Sequence, residues 1–442
     1  MKAPMARPTV LHARYLLPVR PAHAVLEHHS VVIRDTRIVD VLSTTAAKSR
    51  YRDADQVNLQ DHVLLPGLIN MHTHSPMTLL RGYADDLPFQ QWLNEFIWPL
   101  ERKFVSEEFV ADGTRLAMAE MIRAGTTCFN ENYFFPDIMA AAVAKAGMRA
   151  CIGMPIIELP TAWAGDVNEY LEKGLDVLKQ WRGFSRLRFS LAPHAPYSVS
   201  DKSLEQIAVL SADLGLPVHM HLLETEWEVT HSFQQYGIHP LERLEAHRLL
   251  NSRLLAVHMT QLTADEIRML ADRRVHVVHC PQSNLKLASG TCRINDLRES
   301  GLNIAIGTDG AAANNNLDLL SEAQTAALLA KGVSGDPRAV DAFTALEMIT
   351  INGAMALGLD HEIGTIETGK LADLAALDLR APETQPVHNV VSQVIYAASS
   401  RQFTDVWVEG QRLMDAGKLT TLDLAGLMEN AEIWRQKLSA AR

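Results

Sequence analysis

Apolar and polar positions follow two rhythms along this chain. Short apolar runs bounded by Gly, Pro or Asp read as strands, and apolar residues three and four apart read as helices. Near the start, Val31-Val32-Ile33 and Ile38-Val39-Asp40-Val41 flank Asp35-Thr36, the pattern of a hairpin. Leu64 to Met71 is an apolar run too short for a helix. From there strands and helices alternate. Ser106, with Glu107 and Glu108 behind it, opens a helix that stops at Gly125. Thr126 to Phe129 reads as strand, Ile138 to Ala146 as helix, Ala150 to Ile152 as strand and Val167 to Trp181 as helix. Leu187 to Leu191 is a strand, and Ser200 caps a helix that ends at Gly215. Pro217 to Leu222 and Leu254 to Val257 are strands. Thr263 and Glu266 make a capping box. Val275 to Val278 is a strand, a short helix runs to Gly301, and Ile304 to Ile306 closes the series.

Counted from Leu64, eight strands alternate with helices. Strict alternation implies a parallel sheet, and eight units predict an α/β fold of the (β/α)8 TIM-barrel type. A doubly wound sheet is the rival; its nucleotide-binding versions carry a GxGxxG turn, which this chain lacks. A helix around Asp341 to Leu357 follows the barrel series. Gly364 to Leu379 and Asp405 to Met414 then return to strands and turns. The expected layout is a barrel over 63–362, flanked by 1–62 and 363–442. These two ends would form one small β-sandwich domain, with a terminal helix.

Composition narrows the function classes. Lys plus Arg is 41 and Asp plus Glu is 52 among 442 residues, a formal charge of −11. That balance argues against a nucleic-acid partner or an anionic membrane surface, which need clustered cations. A neutral small molecule remains open. No apolar run approaches the ~18 residues of a spanning helix. Lys2, Arg7 and Arg14 give the N-terminus positive charge, but Pro8, His12 and Arg14 break any apolar signal core. Four scattered cysteines (Cys128, Cys151, Cys280, Cys292) fit a reducing, cytoplasmic setting.

The 18 histidines change the picture most. In barrel enzymes the active site lies at the C-terminal ends of the strands. Here strand one runs into His72-Thr73-His74, strand five into His219-Met220-His221, strand six into His258, strand seven into His279 and strand eight into Asp309. Any one of these is an ordinary strand-end residue. Together, at one mouth, they predict a divalent-metal centre. His72 and His74 share a face of the extended chain. Three His and one Asp suit zinc with an open position for water, while iron, manganese or cobalt tolerate the same donors. Glu224, three residues past His221, reads either as a proton shuttle or as a solvated loop carboxylate beside Glu226 and Glu228.

Other motifs fail. Gly364 to Gly369-Lys370 has phosphate-loop spacing, but Leu371 stands where Ser or Thr must hold magnesium. HExxH is absent, as is the HxE…PCxxC set of nucleic-acid deaminases. Cys280 is a weak candidate nucleophile.

Pro66-Gly67-Leu68-Ile69-Asn70-Met71-His72-Thr73-His74 resembles the strand-one signature of the amidohydrolase superfamily. Leu80-Arg81-Gly82, Pro99-Leu100-Glu101, Ala192-Pro193-His194-Ala195-Pro196-Tyr197, His221-Leu222-Leu223-Glu224-Thr225, Pro281-Gln282-Ser283-Asn284 and Gly307-Thr308-Asp309-Gly310 resemble, more narrowly, the 5'-methylthioadenosine/S-adenosylhomocysteine deaminases. Triazine chlorohydrolases and guanine deaminases share much of the pattern. A non-catalytic scaffold relative would be expected to lose ligands that this chain keeps.

The resemblance implies one zinc ion on His72, His74, His221 and Asp309, choosing His221 over His219. It implies Glu224 as the group that protonates the purine ring and His258 as the group that orients water. Glu101 and His194 would contact the ribose and 5' side of a nucleoside. It also admits a homo-oligomer. Members that accept S-adenosylhomocysteine well present arginines between the second and fourth strands. Between Asn130 and Trp181 this chain has only Arg149, with Arg182 and Arg186 just beyond. The expected substrate is therefore 5'-methylthioadenosine, with adenosine and S-adenosylhomocysteine behind it.

Overall fold

The computed structural model describes residues 7–440. Lys2 lies outside them, as do the first six residues of segment 1–62 and the last two of segment 363–442. The strands are β1 (Thr9–Leu16), β2 (Leu26–Arg34), β3 (Arg37–Ser43), β4 (Asp55–Pro66), β5 (Leu68–Thr73), β6 (Thr126–Asn132), β7 (Arg149–Ile156), β8 (Leu187–Pro193), β9 (Val218–Leu222), β10 (Leu254–His258), β11 (His276–His279), β12 (Asn303–Ile306), β13 (Leu374–Asp378), β14 (Phe403–Val408), β15 (Gln411–Asp415) and β16 (Lys418–Leu419).

Strands β5 to β12 form one parallel sheet in sequence order. Helices cover its outside, so both faces are dry; β6 and β7 are buried at every residue. The sheet curls until β12 meets β5. Side chains supply much of that closure. Asn70 on β5 accepts from the Thr308 N–H (3.0 Å) and donates to the Thr308 hydroxyl (2.8 Å). The Asp309 N–H donates to the His72 carbonyl at 2.9 Å. Gly307 permits this approach, since a Cβ there would meet the His72 backbone nitrogen at 2.6 Å.

The chain ends build a second sheet in the order β16-β15-β14-β13-β4-β1-β2-β3. It is mixed, with β1 and β4 parallel and the other pairs antiparallel. The expected sandwich is thus one continuous sheet drawn from both ends. Strand β4 shows how it joins the barrel. Val63 and Leu65 point into the barrel-side core, while Leu64 points into a cluster with Leu11, Val31, Leu374 and Trp407. The junction also holds Arg149, fully buried, paired with Asp373 (2.8 Å) and Glu409 (3.2 Å).

Two expectations need correction. The apolar run Leu64 to Met71 is two strands in two sheets, and β4 continues to Pro66, past residue 62. Asp341 to Leu357 is two helices, Ala342–Met348 and Ile351–Ala356. Thr350 leaves the helical region (φ −133°, ψ −98°), and its hydroxyl bonds back to the Leu346 carbonyl at 2.6 Å. Among the described residues, no helix is long and apolar enough to cross a membrane.

Candidate active site

The C-terminal ends of β5, β9, β10 and β12 bring His72, His74, His221, His258 and Asp309 to one barrel mouth. His258 and Asp309 both sit at positive φ (78° and 62°), a strained backbone that aims each side chain inward. The ring Nε2 atoms of His72 and His74 each lie 3.3 Å from the same Asp309 oxygen. His74 Nε2 is 3.2 Å from His221 Nε2. Ligand atoms of His72, His74 and Asp309 all lie within 4.8 Å of one another, as do those of His72, His221 and His258.

The far side of each ring fixes its orientation. His74 Nδ1 lies 2.5 Å from the Asn132 carbonyl and His221 Nδ1 lies 2.6 Å from the His194 carbonyl. A carbonyl only accepts, so Nδ1 carries the proton and Nε2 keeps its lone pair for the centre. His72 Nδ1 meets His219 Nε2 at 2.9 Å, and buried His72 Nε2 has no hydrogen-bond partner. His258 is turned the other way. The Asn284 amide donates to its Nδ1 (3.0 Å), leaving the N–H on Nε2, 3.7 Å from Glu224 Oε1. His258 therefore offers a donor where His74 and His221 offer lone pairs.

Burial holds the His72 and His221 imidazoles below the usual range, His221 far below. His74 differs: burial lowers it, but the hydrogen bond and charge of Asp309 carry it to about 9. Burial would raise Asp309, yet His72 and His74, each 3.3 Å from it, hold it well below the usual carboxylate range. Its other oxygen accepts from the Ser283 hydroxyl at 2.6 Å. Three imidazoles beside one carboxylate, with one buried ring nitrogen lacking a partner among the described residues, suit the donor set of a divalent cation, whose charge would displace the proton that Asp309 favours on His74. Glu224 is pushed well above the usual range, by burial first and then by the charges of Asp309 and Glu228.

A cavity open to solvent, of about 100 Å³, rises from this cluster. Glu224, His194 and Glu101 line it with an apolar wall of Phe89, Trp92, Leu93, Trp98, Phe134, Ile157 and Leu287. Glu101 accepts from the Tyr133 hydroxyl at 2.6 Å, and burial pushes its carboxyl up to about 7. Burial takes His194 down to about 4.

Several expected residues fall elsewhere. His279 is buried, both ring nitrogens lack partners, and it lies outside both His/Asp groupings. Burial holds the Cys280 thiol well above its usual range, against a nucleophile. Arg149 and Arg186 pair with Glu409 at the barrel floor, and Arg182 lines a separate groove at the N-terminal strand ends. Lys370 donates to the Asp360 carbonyl, away from the mouth.

Other contributors carry no sequence signal in isolation. Buried Glu131 accepts from Thr73 Oγ1 (2.9 Å), the Ser75 N–H (2.9 Å) and the Asn132 N–H (3.0 Å), bracing the His72–His74 turn. Its place, among three polar residues ending a wholly buried strand, was the available clue. Tyr133, the aromatic wall and Glu228 were not singled out either.

The amidohydrolase family model matches residues 63–413. A 5-methylthioadenosine/S-adenosylhomocysteine deaminase of Teredinibacter turnerae is 46% identical over 432 residues, 98% of each chain. One of Saccharophagus degradans is 44% identical over 98% of this chain and 97% of its own. Among solved structures, an adenosine deaminase from Xanthomonas campestris with bound zinc superimposes with a TM-score of 0.97. It is 50% identical and covers 99% of this chain and 100% of its own. Atrazine chlorohydrolase from Arthrobacter aurescens shares the fold at a TM-score of 0.90 and 21% identity, over 96% of this chain and 99% of its own. By sequence along nearly its whole length, and by the fold that carries its histidines, the chain belongs to the amidohydrolase family, in the group of the 5-methylthioadenosine/S-adenosylhomocysteine deaminases.

Proposed function

We propose that the chain catalyses hydrolytic deamination of an adenine nucleoside, releasing ammonia and leaving the inosine product. 5'-Methylthioadenosine is the preferred substrate, ahead of adenosine and S-adenosylhomocysteine. The observation that carries this reading is the meeting of the His/Asp cluster with buried Glu224, whose carboxyl burial pushes well above the usual range, at the base of one cavity. His72, His74, His221 and Asp309 would hold one divalent cation, zinc. When bound, zinc lowers the pKa of water to near ~7 and stabilises charge developing on oxygen.

The protein groups divide the proton traffic. Glu224, kept protonated by burial, gives its proton to N1 of the purine, so the ring can accept electrons from attack at C6. The His258 Nε2–H orients the water. Asp309 takes one water proton and passes it to the amino group as the C6–N bond breaks. The second water proton restores Glu224. Glu101 would accept from the ribose hydroxyls while Tyr133 fixes its other lone pairs, a contact a bare base could not make. The wall near the 5' side is apolar, and among the described residues no Arg or Lys lines the cavity. An uncharged methylthio group fits that wall, whereas a homocysteine carboxylate needs a cation.

Glu224→Gln tests the assignment. With metal content retained, ammonia release should fall by about 10²-fold or more. Near-normal turnover with metal bound would contradict it.

A further inference from the structure

The turn that carries Glu224 is held from both sides. Leu223, just after β9, sits in the left-handed region at φ 50°, so the backbone N–H groups of Leu223 and Glu224 both point to the same side. The carboxylate of Glu228 receives both. Oε1 accepts from the Leu223 N–H at 2.9 Å, and Oε2 accepts from the Glu224 N–H at 3.1 Å. Glu228 is 1% exposed and stands in the first turn of the helix Glu226–Tyr236. The Thr225 hydroxyl caps that helix by accepting from the Glu228 N–H at 3.3 Å. On the opposite side the Thr260 N–H donates to the Leu223 carbonyl at 2.9 Å, and the Thr260 hydroxyl reaches the Glu224 carbonyl at 2.8 Å.

This burial needs a reason. A carboxylate taken out of water is costly unless its lone pairs are filled, and two backbone N–H groups are a minimal set. An apolar residue at 228 would leave those N–H groups unpaired, but a solvent-facing turn would need no such arrangement. Among the described residues the Glu224 carboxyl has no hydrogen-bond partner, and His258 Nε2 lies 3.7 Å from it. Its aim depends on its backbone.

We infer that Glu228, with Thr260 opposite, is the positioning residue for the Glu224 proton donor, clamping the turn so that the Glu224 carboxyl faces the purine ring. The inference rests on the acid/base role proposed for Glu224. Glu228 touches neither substrate nor water; it acts through the backbone. Displacing a reacting group by about 1 Å can cost 10²-fold in rate, and that loss should fall on turnover.

The test compares Glu228→Gln with Glu224→Gln in the zinc-loaded enzyme, using 5'-methylthioadenosine. Gln keeps the volume but puts an NH2 group against one of the two N–H donors. Glu228→Gln should lose about 10²-fold in kcat, with KM within about threefold, zinc content retained and the melting temperature little changed. If Glu224→Gln collapses turnover while Glu228→Gln keeps it, the positioning role is wrong and the acid/base role stands. If Glu224→Gln itself keeps turnover, the reading beneath fails first. If Glu228→Gln does not fold, Thr260→Val reads the clamp from its carbonyl side. A loss in kcat at constant KM upholds the clamp, and unchanged kcat overturns it.

Discussion

His72 and His219 meet at 2.9 Å, Nδ1 to Nε2, across the barrel interior, with both rings buried. That contact holds the His72 ring with Nε2 3.3 Å from Asp309. His219 thus belongs to the centre without facing it. A ligand's outer partner typically contributes 10–100-fold in metal affinity. His219→Ala should weaken zinc binding by about that factor, read by competition with a chromophoric chelator. Affinity equal to the parent would show that barrel packing alone orients His72.

Glu101 carries a pH signature. Its carboxyl is pushed up to about 7 by burial, despite the hydrogen bond from Tyr133. In the proposed role it would accept from ribose hydroxyls when ionised above about pH 7 and lose acceptor capacity when protonated below. KM for the nucleoside should therefore rise as pH falls from about 8 to about 6. Glu101→Gln should remove that limb and raise KM by roughly 10- to 100-fold, the range of a hydrogen bond to a charged group. An unchanged pH limb in the variant would assign it to another group.

Sequence and structure agree best where the chemistry sits at strand ends. A parallel barrel sends every strand's C-terminus to one face, so the clustering of His72, His74, His221, His258 and Asp309 was legible; the same rule also offered His219 and His279, and only the family resemblance chose His221 over His219. Glu131, Glu228 and Tyr133 were not legible. Glu131 and Tyr133 find their partners in distant segments, Glu228 finds its in the backbone N–H groups of the preceding turn, and a buried Glu in sequence looks like a solvated one. Leu64 to Met71 read as one strand because both halves are buried, with only Pro66-Gly67 as punctuation. The helix Leu319–Ser334 went unread because its Ala-rich faces are mostly buried and its periodicity is weak.

Arg149 separates stability from catalysis. Its buried pairs with Asp373 and Glu409 tie the barrel floor to the sheet of the chain ends, across the strands from the site. Arg149→Met leaves two buried carboxylates short of a partner and should cost about 3–5 kcal/mol of stability. The measurement is denaturant unfolding alongside kcat/KM. Activity should persist below the transition. A selective loss of S-adenosylhomocysteine turnover would instead place Arg149 in substrate binding.

The central claim is that this barrel mouth removes ammonia from adenine nucleosides and prefers an uncharged 5' group. The direct measurement is ammonia release by zinc-loaded protein over 5'-methylthioadenosine, adenosine, S-adenosylhomocysteine, free adenine and guanine. The account predicts the highest kcat/KM for 5'-methylthioadenosine, a lower value for S-adenosylhomocysteine and negligible release from the bare bases. Preference for S-adenosylhomocysteine would contradict the apolar 5' wall, and release from guanine with none from the nucleosides would contradict the account as a whole.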